Sequence, residues 1–398
     1  MKAVKKKLVC FILVCITLLC GCGGNNVHVM DAVYLGVENY GSEKVNKDNK
    51  NKFSYRFEID GKEKVLKIDN GAKNEQGKYT YPIQNVLKEG YSYQITVKNR
   101  KVIGVEEIYT EADSYQPPVM GNPGEKTLKN FFATAMMPVG TTLYIYGGGW
   151  DWQDEGAAFQ TRTIGLSDDW RRFFYSQDVN YTFKEKDGDE SKKDAAHSYY
   201  PYGGYNEYYY AGLDCSGYVG WTLYNVMNKE DGKDGYVMSS TKMARTLAEK
   251  GLGKWTQNFM KPVNYKDSEF LPGDIFSKKG HIWICLGTCE DGSIVILHST
   301  AADSRTGQPG GGPELSAIGE SKDCDAYRLA DKYMSKYFSD WYARYPIALK
   351  NYEEYTYVEG EYVGKFSWNL TGADSVLSDP DNLRSKRPEE ILEILFKG

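Results

Sequence analysis

The stretch that most constrains this chain is residues 280–300. It reads Gly280-His-Ile-Trp-Ile-Cys-Leu-Gly287, then Thr288-Cys-Glu-Asp-Gly292, then Ser293-Ile-Val-Ile-Leu-His298-Ser-Thr300. Both arms fit strands, whose side chains alternate faces with a period of two, and the segment between them is a turn. A four-residue loop at 288–291 sets Gly287 opposite Gly292, Cys285 opposite Ile294, Trp283 opposite Ile296 and His281 opposite His298. Directly opposed side chains have Cβ atoms ~4.5–5.5 Å apart. Two of the chain's four histidines are therefore expected side by side at the open end of one hairpin. A slip of one residue would carry one of them to the other face.

A second run supplies a different chemistry. Gly212-Leu-Asp-Cys-Ser-Gly217 leads into Val219, Leu223 and Val226 at helical spacing, with Asp214 suited to the N-cap. Cys215 then falls in the first turn, where free amides and the helix dipole favour a thiolate. The thiolate is the nucleophilic form. The same pattern also fits a plain cysteine packed under a helix. A cysteine at a helix start and two strand histidines can make a Cys-His-X triad. In it His281 takes the thiol proton and later gives one to the leaving amine, and His298 holds the ring and its tautomer. The alternative is two strand-end histidines without a role.

Three segments in this order, Asp214-Cys-Ser-Gly217, then Leu271-Pro-Gly-Asp-Ile-Phe276 with Gly280–Gly287, then Ile296-Leu-His-Ser299, resemble the bacterial NlpC/P60 family. Its members are papain-like cysteine peptidases that cut peptidoglycan stem peptides. The resemblance implies Cys215 as nucleophile, His281 as base and His298 as third residue. It implies amide hydrolysis through a thioester acyl-enzyme, typically between γ-D-glutamyl and a diamino acid. It also implies a Tyr-x-x-Gly-Gly motif before the nucleophile, whose tyrosine assists at the oxyanion beside the Cys215 backbone N–H. Two runs match, Tyr144-Ile-Tyr-Gly-Gly148 and Tyr200-Pro-Tyr-Gly-Gly204. The second has nearly the family spacing. The first has the better flank, Val139-Gly-Thr-Thr-Leu143, and Tyr144 is preferred. That choice makes residues 150–210 an aromatic-rich insertion, which suits either a substrate cleft or plain packing.

The rest of the chain frames this site. Its 398 residues suit two or three domains. Lys2, Lys5, Lys6 and Lys7 precede an apolar run, Leu8–Leu19, too short for the ~20 residues of a membrane span. Residues 1–21 therefore read as an export signal. Leu19-Cys20-Gly21-Cys22 resembles a lipobox, which implies lipidation of Cys22 and anchoring at the outer face of the cell membrane. Cys215, Cys285, Cys289 and Cys324 are too few for a disulfide scaffold, although Cys285 and Cys289 bracket a turn and are candidates to bridge. No zinc-type spacing occurs, and neither a metal nor a cofactor is expected.

Residues 28–112 carry hairpin patterns around Asp60-Gly61 and Lys98–Lys101, with Val33–Val37 in front. They read as a small antiparallel barrel or sandwich. Residues 113–124 are a Pro/Gly linker, 125–350 a papain-like domain with its cysteine helix on an antiparallel sheet, and 351–398 a C-terminal extension ending in an amphipathic helix after Pro388. Gly307–Pro313 reads as a surface loop or a flap. The fold class is α+β. A formal charge of -5 argues against a nucleic-acid partner, and it offers no global steering toward an acidic stem peptide. Two other functions share these features: an amidase or acyltransferase with the same thiol chemistry, and a wall-binding lipoprotein with a silent site.

Overall fold

The computed structural model describes residues 27–37, 54–68, 87, 92–107, 115–148, 161–168, 170–171, 174, 212–257, 270–305, 309–356 and 360–397. The expected signal, Cys22, Tyr200 and most of the 150–210 insertion lie outside these residues. Among the described residues no helix is long and apolar enough to cross a membrane.

The N-terminal alternation closes into a five-stranded barrel. Its strands are β1 (Val27–Val37), β2 (Ser54–Ile59), β3 (Lys62–Ile68), β4 (Ser92–Lys98) and β5 (Lys101–Glu107), in the order β1-β2-β3-β5-β4. Both hairpins turn on two residues with positive φ: Asp60 and Gly61 in the first, Asn99 and Arg100 in the second. Such turns match the twist of the flanking strands. Closure comes from a parallel pairing, Lys67 with Lys101 and Ile68 with Val102. The barrel is thus mixed and not wholly antiparallel.

A seven-stranded sheet follows. After α1 (Leu128–Met136), α2 (Cys215–Met227) and α3 (Ser240–Glu249) come β6 (Gly253–Gln257), β7 (Ile275–Lys278), β8 (His281–Thr288), β9 (Ile294–Asp303) and β10 (Pro309–Ile318). Then come α4 (Asp325–Tyr337), α5 (Ser339–Arg344), β11 (Leu349–Lys350), α6 (Tyr352–Thr356), β12 (Gly364–Trp368) and α7 (Pro388–Lys397). The strand order is β11-β10-β9-β8-β7-β12-β6, and β10 pairs with β11 in parallel. This sheet too is mixed, and the chain is α+β. One face, carrying Ile282, Ile284, Val295 and Leu297, packs with α1, α2 and α4. The other, carrying Trp283, Cys285, Ile294 and Ile296, packs under Phe270, Tyr352 and Tyr355.

Three expected boundaries change. The Pro/Gly stretch is packed on the helices: Asn122 N–H donates to Asn130 Oδ1 (2.6 Å) and Gly124 N–H to Asn225 O (2.8 Å). The residues after 350 are no appendage, because β12 lies between β7 and β6 and completes the sheet. Residues 309–313 are neither loop nor flap but the first half of β10. A side chain at Gly311 or Gly312 would strike the Thr300 or Thr142 carbonyl, and both residues have positive φ. The glycines are there because a neighbouring segment crosses the strand, a use of glycine that local patterns do not separate from a turn.

Candidate active site

Cys215 opens α2 as expected. Asp214 is its N-cap, accepting from the Gly217 N–H (2.7 Å) and the Ser216 hydroxyl (2.9 Å). The segment containing Tyr144 runs alongside: Leu213 N–H donates to Leu143 O (3.0 Å) and Asp214 N–H to Gly148 O (2.8 Å). The buried Tyr144 is thus carried by the segment that holds the Cys215 entry, with its own N–H on Gly311 O (2.9 Å).

The two histidines meet by a different register from the one expected. At the turn Thr288 faces Ile294, a bulge between Cys285 and Gly287 shifts the pairing, and beyond it Cys285 faces Ile296 and Ile284 faces Leu297. The pairing is offset by three residues at the turn, and the bulge leaves it two residues off. An even offset preserves the face. Continued outward, this register sets His281 opposite Thr300 and diagonal to His298, within reach of long side chains at ~7–8 Å between backbones. The rings do meet, His281 Nε2 to His298 Nδ1 at 2.9 Å.

Behind them lies a chain of groups that the sequence reading missed. His298 Nε2 is 3.0 Å from Ser316 Oγ, and the Ser316 hydroxyl donates to Glu314 Oε1 (2.7 Å). His298, Ser316 and Glu314 are all buried. Glu314 sits directly across from His298 on β10. The alternation Glu314-Leu-Ser316-Ala-Ile318 was the available signal, and the glycine run before it masked a strand. Tyr355 covers both imidazoles, with ring centroids 5.5 Å from His281 and 6.1 Å from His298. Lys278 and Lys350 lie over the same tyrosine at 4.4 and 5.5 Å.

Burial decides the protonation states. The Cys215 thiol is pushed up to about 12 by desolvation and by the Asp214 carboxylate, against lowering contacts with the Ile282 main chain, Ser240 and Ser216. The expected resting thiolate is therefore not formed. A helix terminus is worth about 0.3–1 kcal/mol, less than the several kcal/mol that removing an ion from water costs. His281 is held well below its ordinary value by desolvation, then by His298, Lys350 and Lys278; His298 is lowered by desolvation and Lys350. Asp214 is raised to about 6 and Glu314 to about 7, both chiefly by burial. The thiol and the rings are thus neutral at rest.

Cys215 reaches β8 at the Ile282 main chain, one residue from His281. Its helix packs on the Ile282 face, whereas the imidazoles stand on the Trp283 face. Among the described residues no hydrogen bond joins the thiol to either ring.

Trp170, from the aromatic insertion, is buried edge-to-face on Trp221 (5.6 Å). Cys285 and Cys289 are free: Cys285 is buried under Phe276 and Trp283, and Cys289 sits at the turn. Among the described residues no group of three or more His, Cys, Asp or Glu is placed to hold a metal ion. A pocket of about 330 Å³ lies at the turn end of the hairpin, lined by Cys289, Asp325, Arg328 and Arg387, away from the imidazoles. Comparisons with family models, curated proteins and solved structures give no match to this chain.

Proposed function

We propose that the protein is a papain-like thiol hydrolase that cuts an amide bond in peptidoglycan stem peptides, with Cys215 as nucleophile, His281 as base and His298 as the residue that orients it. The observation that carries this reading is the imidazole pair at the start of β8, one residue from the main chain that Cys215 touches. The reaction requires the start of β8 to shift so that His281, which stands on the opposite face from Cys215, meets the thiol; the thiol then attacks the carbonyl as its proton passes to the ring. The ring then protonates the leaving amine, and water hydrolyses the thioester. In this reading Tyr144 and the Cys215 N–H hold the developing oxyanion, which the pairing of the Tyr144 segment with the Cys215 entry supports. Because both groups start neutral, the proton moves during attack and not before it. Lys278 and Lys350 give the site the local positive charge that free substrate carboxylates need, which the acidic chain as a whole lacks. Export and lipidation at Cys22 would put the enzyme at the outer membrane face, within reach of the wall.

A second reading is a wall-binding lipoprotein with a silent site, and the 5% exposure of Cys215 speaks for it. Digestion of purified peptidoglycan, with fragments identified by mass, separates the two. New peptide ends are expected from the wild type and none from Cys215→Ala. Cleavage retained in Cys215→Ala rules out the thiol mechanism, and an inert wild type leaves the silent reading. Transfer of the acyl group to an added amine would mark an acyltransferase.

A further inference from the structure

We propose that Glu314, acting through Ser316 and His298, sets which nitrogen of His281 is free to accept a proton, so that ionisation of Glu314 switches the site on. Glu314 is a positioning residue here, and its role in catalysis rests on the reading of Cys215 and His281 given above.

The argument follows the hydrogen bonds one proton at a time. Ser316 has one hydroxyl proton and gives it to Glu314 Oε1. Its oxygen then accepts from His298, so His298 carries its proton on Nε2. A neutral His298 has none left for Nδ1, which must accept from His281 Nε2–H. A neutral His281 with its proton on Nε2 has a bare Nδ1. Every donor points toward the carboxylate, and the free lone pair is left on His281 Nδ1, at the far end of the row.

Protonation of Glu314 reverses the whole row. Glu314 Oε2 has no hydrogen-bond partner among the described residues, so the acid proton is best satisfied on Oε1, donating to Ser316 Oγ. Ser316 must then donate to His298 Nε2, His298 Nδ1–H to His281 Nε2, and His281 keeps its proton on Nδ1. His281 Nδ1 can then no longer accept a proton. The bistable element is the hydrogen-bond chain itself, and no backbone movement is required.

Neighbouring charges fix where the switch acts. Lys350, on β11, favours the ionised Glu314, while desolvation opposes it more strongly; the Ala348 main chain and the Trp341 indole also approach, the indole without hydrogen-bond geometry. Glu354 of α6 acts on Lys350 in turn, and Lys350 on Lys278 of β7. Glu314 settles at about 7, and the two rings stay neutral well below that. The site is therefore on above about pH 7 and off below it. Asp214, at about 6, also titrates nearby, beside the thiol.

Nitrogen NMR of histidine-labelled full-length protein tests this, since only four histidines contribute. Between about pH 5 and 9, the wild-type His281 Nδ1 is expected to be proton-free at the alkaline end and protonated at the acid end, with Nε2 doing the reverse. Peptidoglycan cleavage should fall about tenfold per unit below the midpoint. Glu314→Gln, which keeps the shape and removes the titration, is expected to abolish both dependences. Ser316→Ala, which cuts the row, should do the same. Wild-type tautomers that do not change with pH overturn the proposal. An acid limb that persists in Glu314→Gln also overturns it and assigns the limb to Asp214 or to the Cys215–His281 pair. A tautomer exchange in a protein that cleaves nothing at any pH leaves the switch standing and removes the peptidase reading, so the two fail separately.

Discussion

The barrel interior is built from Ala32, Tyr34, Tyr55, Phe57, Ile59, Ile68, Ile95 and Val102, and its one histidine, His28, is at the exposed end of β1. The seven-stranded sheet buries a far larger apolar core and adds Asp274, His298, Glu314 and Ser316. A buried charge costs several kcal/mol unless it is paired and hydrogen-bonded. Among its described residues the barrel buries no charged side chain. The sheet meets that cost in two ways. Asp274 is saturated: Arg384 at 2.6 Å, Lys365 at 3.5 Å, the Ser367 hydroxyl at 2.7 Å and the Leu271 N–H at 3.0 Å. Glu314 has one short hydroxyl contact and an oxygen with no partner. The saturated carboxylate ties β7, β12 and the 383–385 turn together. The half-satisfied one stands behind the imidazoles, where titration is useful.

Substitutions can break this contrast, and the largest effect is expected at Asp274. Asp274→Asn leaves Arg384 and Lys365 facing no negative charge and should cost about 3–5 kcal/mol, read from urea unfolding. All eight tryptophans lie after residue 149, so their fluorescence reports the sheet and not the barrel. A loss below about 1 kcal/mol would place Asp274 with ordinary exposed pairs and dissolve the distinction.

Glu314→Gln should act in the opposite direction. The folded value of about 7 is above that of an ordinary glutamate, ~4.3. Its contribution to stability is therefore full below about pH 4 and lost as pH rises through about 7. At alkaline pH the variant is expected to match or exceed the wild type in tryptophan-detected unfolding. A marked destabilisation there would mean that the ionised carboxylate is as well satisfied as Asp274. The smallest expected effect is Ile95→Val in the barrel, about 0.5–1.5 kcal/mol. It should shift far-UV dichroism of the barrel transition while leaving the tryptophan transition and wall cleavage unchanged. Lost cleavage would show that the barrel takes part in the chemistry.

Sequence alone reached the elements whose causes are local. Asp60-Gly61 and Lys98–Lys101 mark their hairpins by turn chemistry, Asp214 marks the start of α2, and the period of two in 281–287 and 294–298 brings the histidines to one face despite the wrong register. What escaped depends on distant partners. Gly310–Gly312 reads as a loop unless the crossing Thr142 segment is known. Ser316 and Glu314 become meaningful only once β10 lies beside His298. The neutral thiol follows from burial at Cys215, which no local pattern reports.

The place of β12 has a consequence for how the chain is made. The strand that completes the sheet, and Arg384 that neutralises Asp274, follow every other strand of that sheet in the sequence. Long-range strand pairing of this kind cannot begin until its partners have been synthesised. A nascent chain therefore cannot finish this sheet until residues 364–384 have been made.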